Sequence, residues 1–594
     1  MENQKNFVVA MLLSLAVLVA YHFLYAQPRF EAQKAREAAE MAAAQEAIPT
    51  PETTVAVETP ETTVESVRVP INAAGIEGSF QTRGMRFDDI KLKDYKATTD
   101  EGSPIVSLLN PEGGPAGGEE AAYVFDNWVP VEGGSGADAE WSLVSGQTLT
   151  ETSPVTLRHE GQGFTVERTV SVDDKFLITL SDTITNTSSQ PVSLIRRGVS
   201  RQVGLPQDLE NFFILQEGPV AVVGGELFDM KFKKLAKERR ASESGSSGWV
   251  GITDKYWLAA AVAPVGGEMD AEFEYSFLDG QDVYEAGYAT VPMTISAGNA
   301  ITSTGYIYAG AKERHLLERY ESELGIDEFN RVIDWGTLRI IVKPLTTALN
   351  WLGERIGNYG IAIIVLTFII KLALFPLFNK QYRSMGKMKK VAPQLTKLRE
   401  RYNAPEDRMK LQQEMMALYK KEGVNPMAGC LPIIPTIFIF FALYKTVFID
   451  VELRHAPFLW IEDLSQRDPL SVLNLFGILP WDANPIGISF LALGPLALLY
   501  GITMAAMQTL QTPGGDPMQR KIFMALPWVF MFVLAPFAAG LLVYWVTSNI
   551  LSFIQSYVIY KRMGTEVPLE SWIKRKLGLE KELPDGIEVI EPEK

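Results

Sequence analysis

The sequence predicts an α-helical polytopic membrane protein that carries a large all-β domain outside the bilayer. Three observations lead there. Apolar runs of membrane-spanning length gather in the second half of the chain, the first half alternates apolar and polar residues, and a dense block of positive charge follows the second apolar run. Over 594 residues, 47% hydrophobic with a net charge of −16, the averages conceal these unlike halves. The overall acidity therefore says little about partners, whereas local charge speaks to topology.

Residues 1–26 form the first apolar segment, Phe7 to Tyr25, with Lys5 as the one basic residue before it. A small-residue cleavage site ending at Ala26 would place Leu24 at its −3 position, so an uncleaved anchor with a cytoplasmic N-terminus is expected. Residues 27–69 read as a tether. Arg29 to Ala47 is rich in Ala and Glu, and PETTV occurs at Pro51 and again at Pro60. Such a composition cannot bury a core. Residues 70–330 carry β signals. Phe176, Ile178 and Leu180 alternate with Leu177, Thr179 and Ser181, and Val166, Arg168 and Val170 alternate with Thr165, Glu167 and Thr169. Turn clusters such as Gly161-Gln162-Gly163 and Asp279-Gly280 separate the runs. The pattern predicts one antiparallel sandwich, followed by a charged helical stretch up to Asn330. No catalytic constellation is visible in it.

Residues 335–357 place Leu338, Ile341, Leu345, Leu349 and Leu352 at helical spacing, interrupted by Arg339, Lys343, Glu354, Arg355 and Pro344. Too polar to span, the segment is expected to lie in the interface as an amphipathic helix. Residues 358–379 are expected to form the second transmembrane helix, and they enclose Lys371. Phe378 marks the far end, roughly 10 Å away at about 1.5 Å per residue. A lysine stem covers only part of that distance, and its charge against lipid costs several kcal/mol, so Lys371 is expected to face a polar cavity or a protein partner. Four more spans are read within 428–560: Leu431 to Ile449, Ile488 to Met507, Ile522 to Phe537 and Leu541 to Tyr560. The total is six. Lys445, near the end of its span, reads as a snorkelling lysine.

Residues 380–425 form a helical hairpin, with arms Tyr382–Tyr402 and Pro405–Lys421 and Pro393 expected to kink or interrupt the first. Lys380 to Glu422 holds 12 Lys/Arg against 5 Asp/Glu, which places the hairpin in the cytoplasm. Six spans then put both termini and the tail 561–594 inside. The β domain and the acid-leaning loop Val451–Asp482 lie outside, in the periplasm where a second membrane exists. Cys430 is the single cysteine, so no intrachain disulfide forms, and it reads as a small hydrophobe. His22, His159, His315 and His455 have no metal-ligand spacing. No phosphate-binding loop is present, which argues against an ATP-driven pump. No metal or cofactor is expected.

Inside the membrane half, Thr367 and Lys371 share a helix face, and Tyr544, Ser548, Ser552 and Ser556 repeat every fourth residue, flanked by Asn549 and Gln555. Thr436 sits beside Pro432 and Pro435. Together these residues suit a moderately polar groove open toward the cytoplasm. Close helix packing accounts for the serines alone equally well. The buried lysine favours the groove. Such a groove with one positive charge shortens the path of a polar, often acidic, segment through lipid, and needs neither nucleotide nor covalent chemistry. The competing reading is a secondary transporter with Lys371 as its substrate or proton site. Against it stand the lack of an inverted repeat and the scarcity of acids in the spans. A third reading is a chaperone for envelope proteins.

Several motifs, in order, carry a resemblance. They are Tyr382-x-x-Met385-x-Lys387-Met388, Gln413 to Lys420, Asn425-Pro426, Gly429-Cys430-x-Pro432, Val451-Glu-Leu-Arg-x-Ala-Pro457, Asp516-Pro-Met-Gln519, and Gly540-Leu541 through Ser548-Asn549 and Gln555. Nearly the whole chain resembles the YidC/Oxa/Alb membrane-protein insertase family, in its Gram-negative type with a large periplasmic domain. The resemblance implies six transmembrane helices, five of them forming the insertase core, plus an all-β periplasmic supersandwich. It implies a non-enzymatic monomer of the inner membrane, working on nascent integral membrane proteins among membrane lipids, alone or with the Sec translocon. It assigns the groove charge to Lys371, where the family usually has Arg. It implies groove or substrate contacts at Thr367, at Thr436, Ile437 and Phe438, at Phe523 and Phe530, and at Tyr544 and Trp545, beside Ser548 and Ser552, which the fourth-residue spacing places in the groove lining. Pro435 and Phe438 depart from the family's usual pattern in that span, and Trp545 stands where Tyr is usual. Ribosome contact through the hairpin and tail has the hairpin's positive charge and Lys574-Arg575-Lys576 behind it, the latter a weak signal that a solvated cytoplasmic end also explains.

Overall fold

The computed structural model describes residues 67–111, 120–131, 136–206, 209, 215–278, 280–402, 407–424, 433–479, 481, 491–511 and 517–564. The expected anchor at 1–26, the tether up to 66, the hairpin turn at 403–406 and the tail from 565 lie outside the described residues.

Alternation does produce a sandwich. Nineteen described strands form two sheets, of ten and nine strands. In the larger sheet Val192–Val203 lies between Ala121–Pro130 and Gln281–Thr290, antiparallel to both. In the smaller one Leu177–Asn186 lies between Phe164–Val172 and Ala300–Ala311, again antiparallel. Val166, Val170, Ile178 and Leu180 point into the shared core. So does Arg168, which a period of two places on the same face as its valine neighbours. Arg168 Nε donates to Asp182 Oδ1 at 2.6 Å and Nη2 to Asp126 Oδ1 at 3.2 Å, while Arg196 Nε reaches Asp126 Oδ1 at 2.7 Å. Trp128 Nε1 donates to Asp182 Oδ2 at 2.9 Å. Two cations facing two carboxylates make this burial tolerable. Burial alone would raise the Asp182 carboxyl, but Arg168 and Arg196 hold it below the usual carboxylate range.

Helix α1 spans Phe232–Glu238 and α2 spans Arg314–Leu324, leading out of the last strand. In helix α3, Arg339–Ile356, Val342, Leu349 and Leu352 are buried, while Ile340 and Trp351 are exposed. It packs closely on α4, Tyr359–Ala373, since a Cβ at Gly353 would come within 2.4 Å of the Tyr359 ring. The Asn358 side chain caps α4 by accepting from Ile361 N at 3.0 Å.

The continuous helix expected over 358–379 is not what forms. The chain breaks at Leu374, and α5, Phe375–Arg401, departs at 68°. Pro376 is the physical reason. It has no N–H to continue the ladder and suits the first turn of a new helix. Pro393, by contrast, does not interrupt α5. It lies on an exposed face, where water can take the freed carbonyl. The second arm is α6, Arg408–Lys421. Then follow α7, Ile433–Ile449; α8, Pro495–Gln511; α9, Pro517–Leu534; and α10, Ala539–Arg562. Among the described residues, α10 is long and apolar enough to cross a membrane by itself, and the bent α4–α5 pair is a second span by the same measure. The apolar stretches Pro435–Ile449, Pro495–Leu510 and Phe523–Leu534 are shorter.

The β core runs on into the helices, with Val342, Ala442 and Ile449 joining it. Lys445 does not snorkel. Its Nζ lies 2.7 Å from Asp334 Oδ2, in the link between the sandwich and α3, and its side chain is 10% exposed. An opposite charge within reach outweighs a search for water. Tyr256 Oη donates to Ser465 Oγ at 3.0 Å and Arg454 to the Ala97 carbonyl at 2.9 Å, tying the sandwich to the loop after α7.

Candidate functional site: a lysine between two apolar helices

Helices α4 and α10 pack together, and their interface contains the polar atoms that the sequence had placed at fourfold spacing. On α10, Ser548, Ser552 and Ser556 are buried, while Ile550, Ile554 and Val558 on the other face are exposed. One helix thus presents hydroxyls inward and branched apolar side chains outward, the reverse of a helix in water.

Lys371 is in the last turn of α4 and partly buried. Its Nζ donates to Ser552 Oγ at 2.7 Å and lies 4.6 Å from the centre of the Phe378 ring. The second contact depends on the break at Leu374. In an unbroken helix Phe378 would be about 10 Å further along the axis. The bend folds it back, and the ring face then meets the ammonium. Among its described partners Lys371 has a hydroxyl and an aromatic face but no carboxylate.

The remaining predicted residues divide into two groups. Thr367, Tyr544, Ser548 and Ser552 are buried in the helix interior. Thr367 Oγ1 donates to the Ile363 carbonyl of its own helix at 2.6 Å, so its hydroxyl is spent locally. Tyr544 and Ser548 are one helical turn apart on the buried face of α10. Ile437 and Phe438 on α7, and Phe523 and Phe530 on α9, are exposed, and Thr436 is half-buried. Trp545 stacks on Phe440 at 4.9 Å and approaches Tyr500 at 5.5 Å, which makes it a joint between α7, α8 and α10.

Sequence reasoning missed Phe378 as a neighbour of the lysine, and Phe440 and Tyr500 as partners of Trp545. Pro376, two residues before Phe378, was the available signal for the bend. Asn549, read as a flank of the serine stripe, donates to Thr503 Oγ1 of α8 at 3.3 Å, linking the stripe to a third helix.

Chemically, a fixed ammonium beside hydroxyls, with apolar side chains on neighbouring helices facing outward, suits transient contact with an anion on a segment whose flanks are apolar.

Residues 351–566 match the family described as 60Kd inner membrane protein, and residues 68–348 match the YidC periplasmic domain. A membrane protein insertase YidC of Maricaulis maris (strain MCS10) is 41% identical, over 97% of this chain and 99% of the relative. One of Rhizobium meliloti (strain 1021) is 38% identical, over 96% of this chain and 97% of the relative. The crystal structure of an active YidC insertase with its first transmembrane domain resolved is 15% identical, with a TM-score of 0.36, over 83% of this chain and 93% of that one.

Proposed function

Because this chain belongs to the YidC family of membrane protein insertases, we propose that it inserts integral membrane proteins into the inner membrane through a polar path centred on Lys371. The observation that carries the reading is the Lys371–Ser552 contact between α4 and α10. It holds a cation within an apolar helix pair, with no described carboxylate to neutralise it. A desolvated ammonium in that state attracts an acidic residue arriving from water. The exposed side chains Ile437, Phe438, Phe523 and Phe530 then offer the arriving segment's apolar flank a surface continuous with lipid.

In this reading the protein acts as a monomer, alone or beside the Sec translocon, on nascent membrane proteins. Six spans leave both termini in the cytoplasm and the sandwich in the periplasm, and α3 lies along the lipid interface. The basic arm α5 faces the ribosome's side of the membrane. A secondary transporter using Lys371 gains no support of its own from the residues around that lysine.

The test is reconstitution of the purified protein alone. A small single- or double-span substrate is expected to become protease-protected well above the level in empty liposomes, and to lose that protection when the Lys371 span is deleted. Protection no better than in empty liposomes contradicts an autonomous insertase.

A further inference from the structure

Apart from Lys371, three donors from two distant stretches of the chain converge where the sandwich meets the end of α7. Glu313 lies between the last strand and α2, His315 is in the first turn of α2, and Glu452 sits in the short turn Val451–Leu453 just after α7. One ligand atom from each lies within 4.8 Å of the other two. His315 Nε2 is 3.6 Å from Glu313 Oε2. We propose that Glu313, His315 and Glu452 bind a divalent transition cation that clamps the β domain to the Ile449 end of α7.

Four features of the site support this. First, the donor set mixes one imidazole nitrogen with two carboxylates, a combination that suits Zn²⁺ and its neighbours rather than Ca²⁺ or Mg²⁺, which take oxygen alone. Second, the Glu313 carboxylate is already oriented. Tyr95 Oη donates to its Oε1 at 2.9 Å, leaving Oε2 on the side of the imidazole. Outer hydrogen bonds of this kind fix metal-binding carboxylates. Third, the cations nearby already serve other carboxylates, Arg314 Nη1 donating to Glu318 Oε2 at 2.6 Å. Lys175 Nζ is 4.0 Å from Glu313 Oε1 but also bonds Asp94 at 3.2 Å, and Asp450, two residues before Glu452, is buried with no donor to its Oδ2 among the described residues. Fourth, access is graded. Glu313 is buried and Glu452 half-buried, while the His315 ring is 60% exposed, so an ion and its waters can enter from that side.

Donors on a tetrahedral Zn²⁺ lie about 3.3 Å apart, given bonds of about 2.0–2.2 Å. His315 Nε2 and Glu313 Oε2, 3.6 Å apart, already stand close to that separation. Histidine spacing in the sequence could not reveal this set, because its members meet only through the packing of α2 against the turn after α7.

The probe is ZnCl₂, titrated by calorimetry into the full-length, tag-free, chelator-treated protein in detergent. One equivalent is expected to bind and to raise the thermal transition. His315→Ala, at an exposed position, is expected to abolish both effects while leaving the metal-free transition unchanged, and Glu452→Gln to do the same to binding. Tyr95→Phe is expected to weaken binding about 10-fold, as loss of an outer-shell hydrogen bond does. Absence of saturable binding, or full binding by His315→Ala, overturns the proposal. Neither result depends on insertion activity.

Discussion

At the scale of single residues, a charge survives among apolar side chains only with partners to hold it. Lys371 does so with one hydroxyl and one ring face. A hydrogen bond to a charged group is worth about 1.5–3 kcal/mol, so Ser552→Ala should leave the ammonium misplaced. The expected outcome is partial loss of insertion of acidic-tailed substrates, with Ser552→Thr retaining it. Equal loss in both variants would assign Ser552 to packing alone. Arg168 solves the same problem differently, with two carboxylates. Removing one member of such a buried group costs about 3–5 kcal/mol, so Arg168→Met should lower the thermal transition of the sandwich markedly and leave Lys371-dependent insertion intact whenever the domain stays folded. Lys371 was legible in the sequence because a lone charge in an apolar run stands out. Arg168 was equally visible in the alternation, but one inward charge among valines reads as an outward exception until its partners, remote in the chain, are known.

Elements were legible where periodicity decides and illegible where a contact between elements decides. The strands, the amphipathic face of α3 and the inward serines of α10 follow from periods of two and of three to four. The break between α4 and α5 follows from Pro376, whose effect is local but ambiguous, since Pro393 in α5 stops nothing. What separates the two is position. Pro376 falls in the first turn of the second helix, and Pro393 on an exposed face inside it. The Lys445–Asp334 pair joins α7 to the link before α3, and no span-by-span reading can see across that distance. Lys445→Met should destabilise the junction by about 1–3 kcal/mol by leaving a half-buried carboxylate without its cation. Adding Asp334→Asn in the same background should cost little more, which a double-mutant cycle by thermal unfolding checks. Fully additive losses would mean that the two residues act separately.

At the scale of the whole molecule, a soluble sandwich and a membrane bundle share one core through Val342, Ala442 and Ile449, so stability in one is felt by the other. Asp182, held below the usual carboxylate range despite its burial, contributes stability that is present above the unfolded carboxylate value of about 4 and is lost as pH falls through the lower folded value. The thermal transition should therefore carry an acid-side decline below about pH 4 that Asp182→Asn flattens. An unchanged slope would remove this group from the account. The central claim is the charge itself, and one measurement addresses it directly. Proteoliposomes carrying the wild type, Lys371→Ala or Lys371→Arg would be supplied with two substrates that differ only in whether the translocated tail bears acids, and insertion would be scored by protease protection. The account predicts that Lys371→Ala loses the acidic-tailed substrate while keeping the neutral one, and that Lys371→Arg keeps both. Insertion of both substrates by Lys371→Ala at wild-type levels would contradict it.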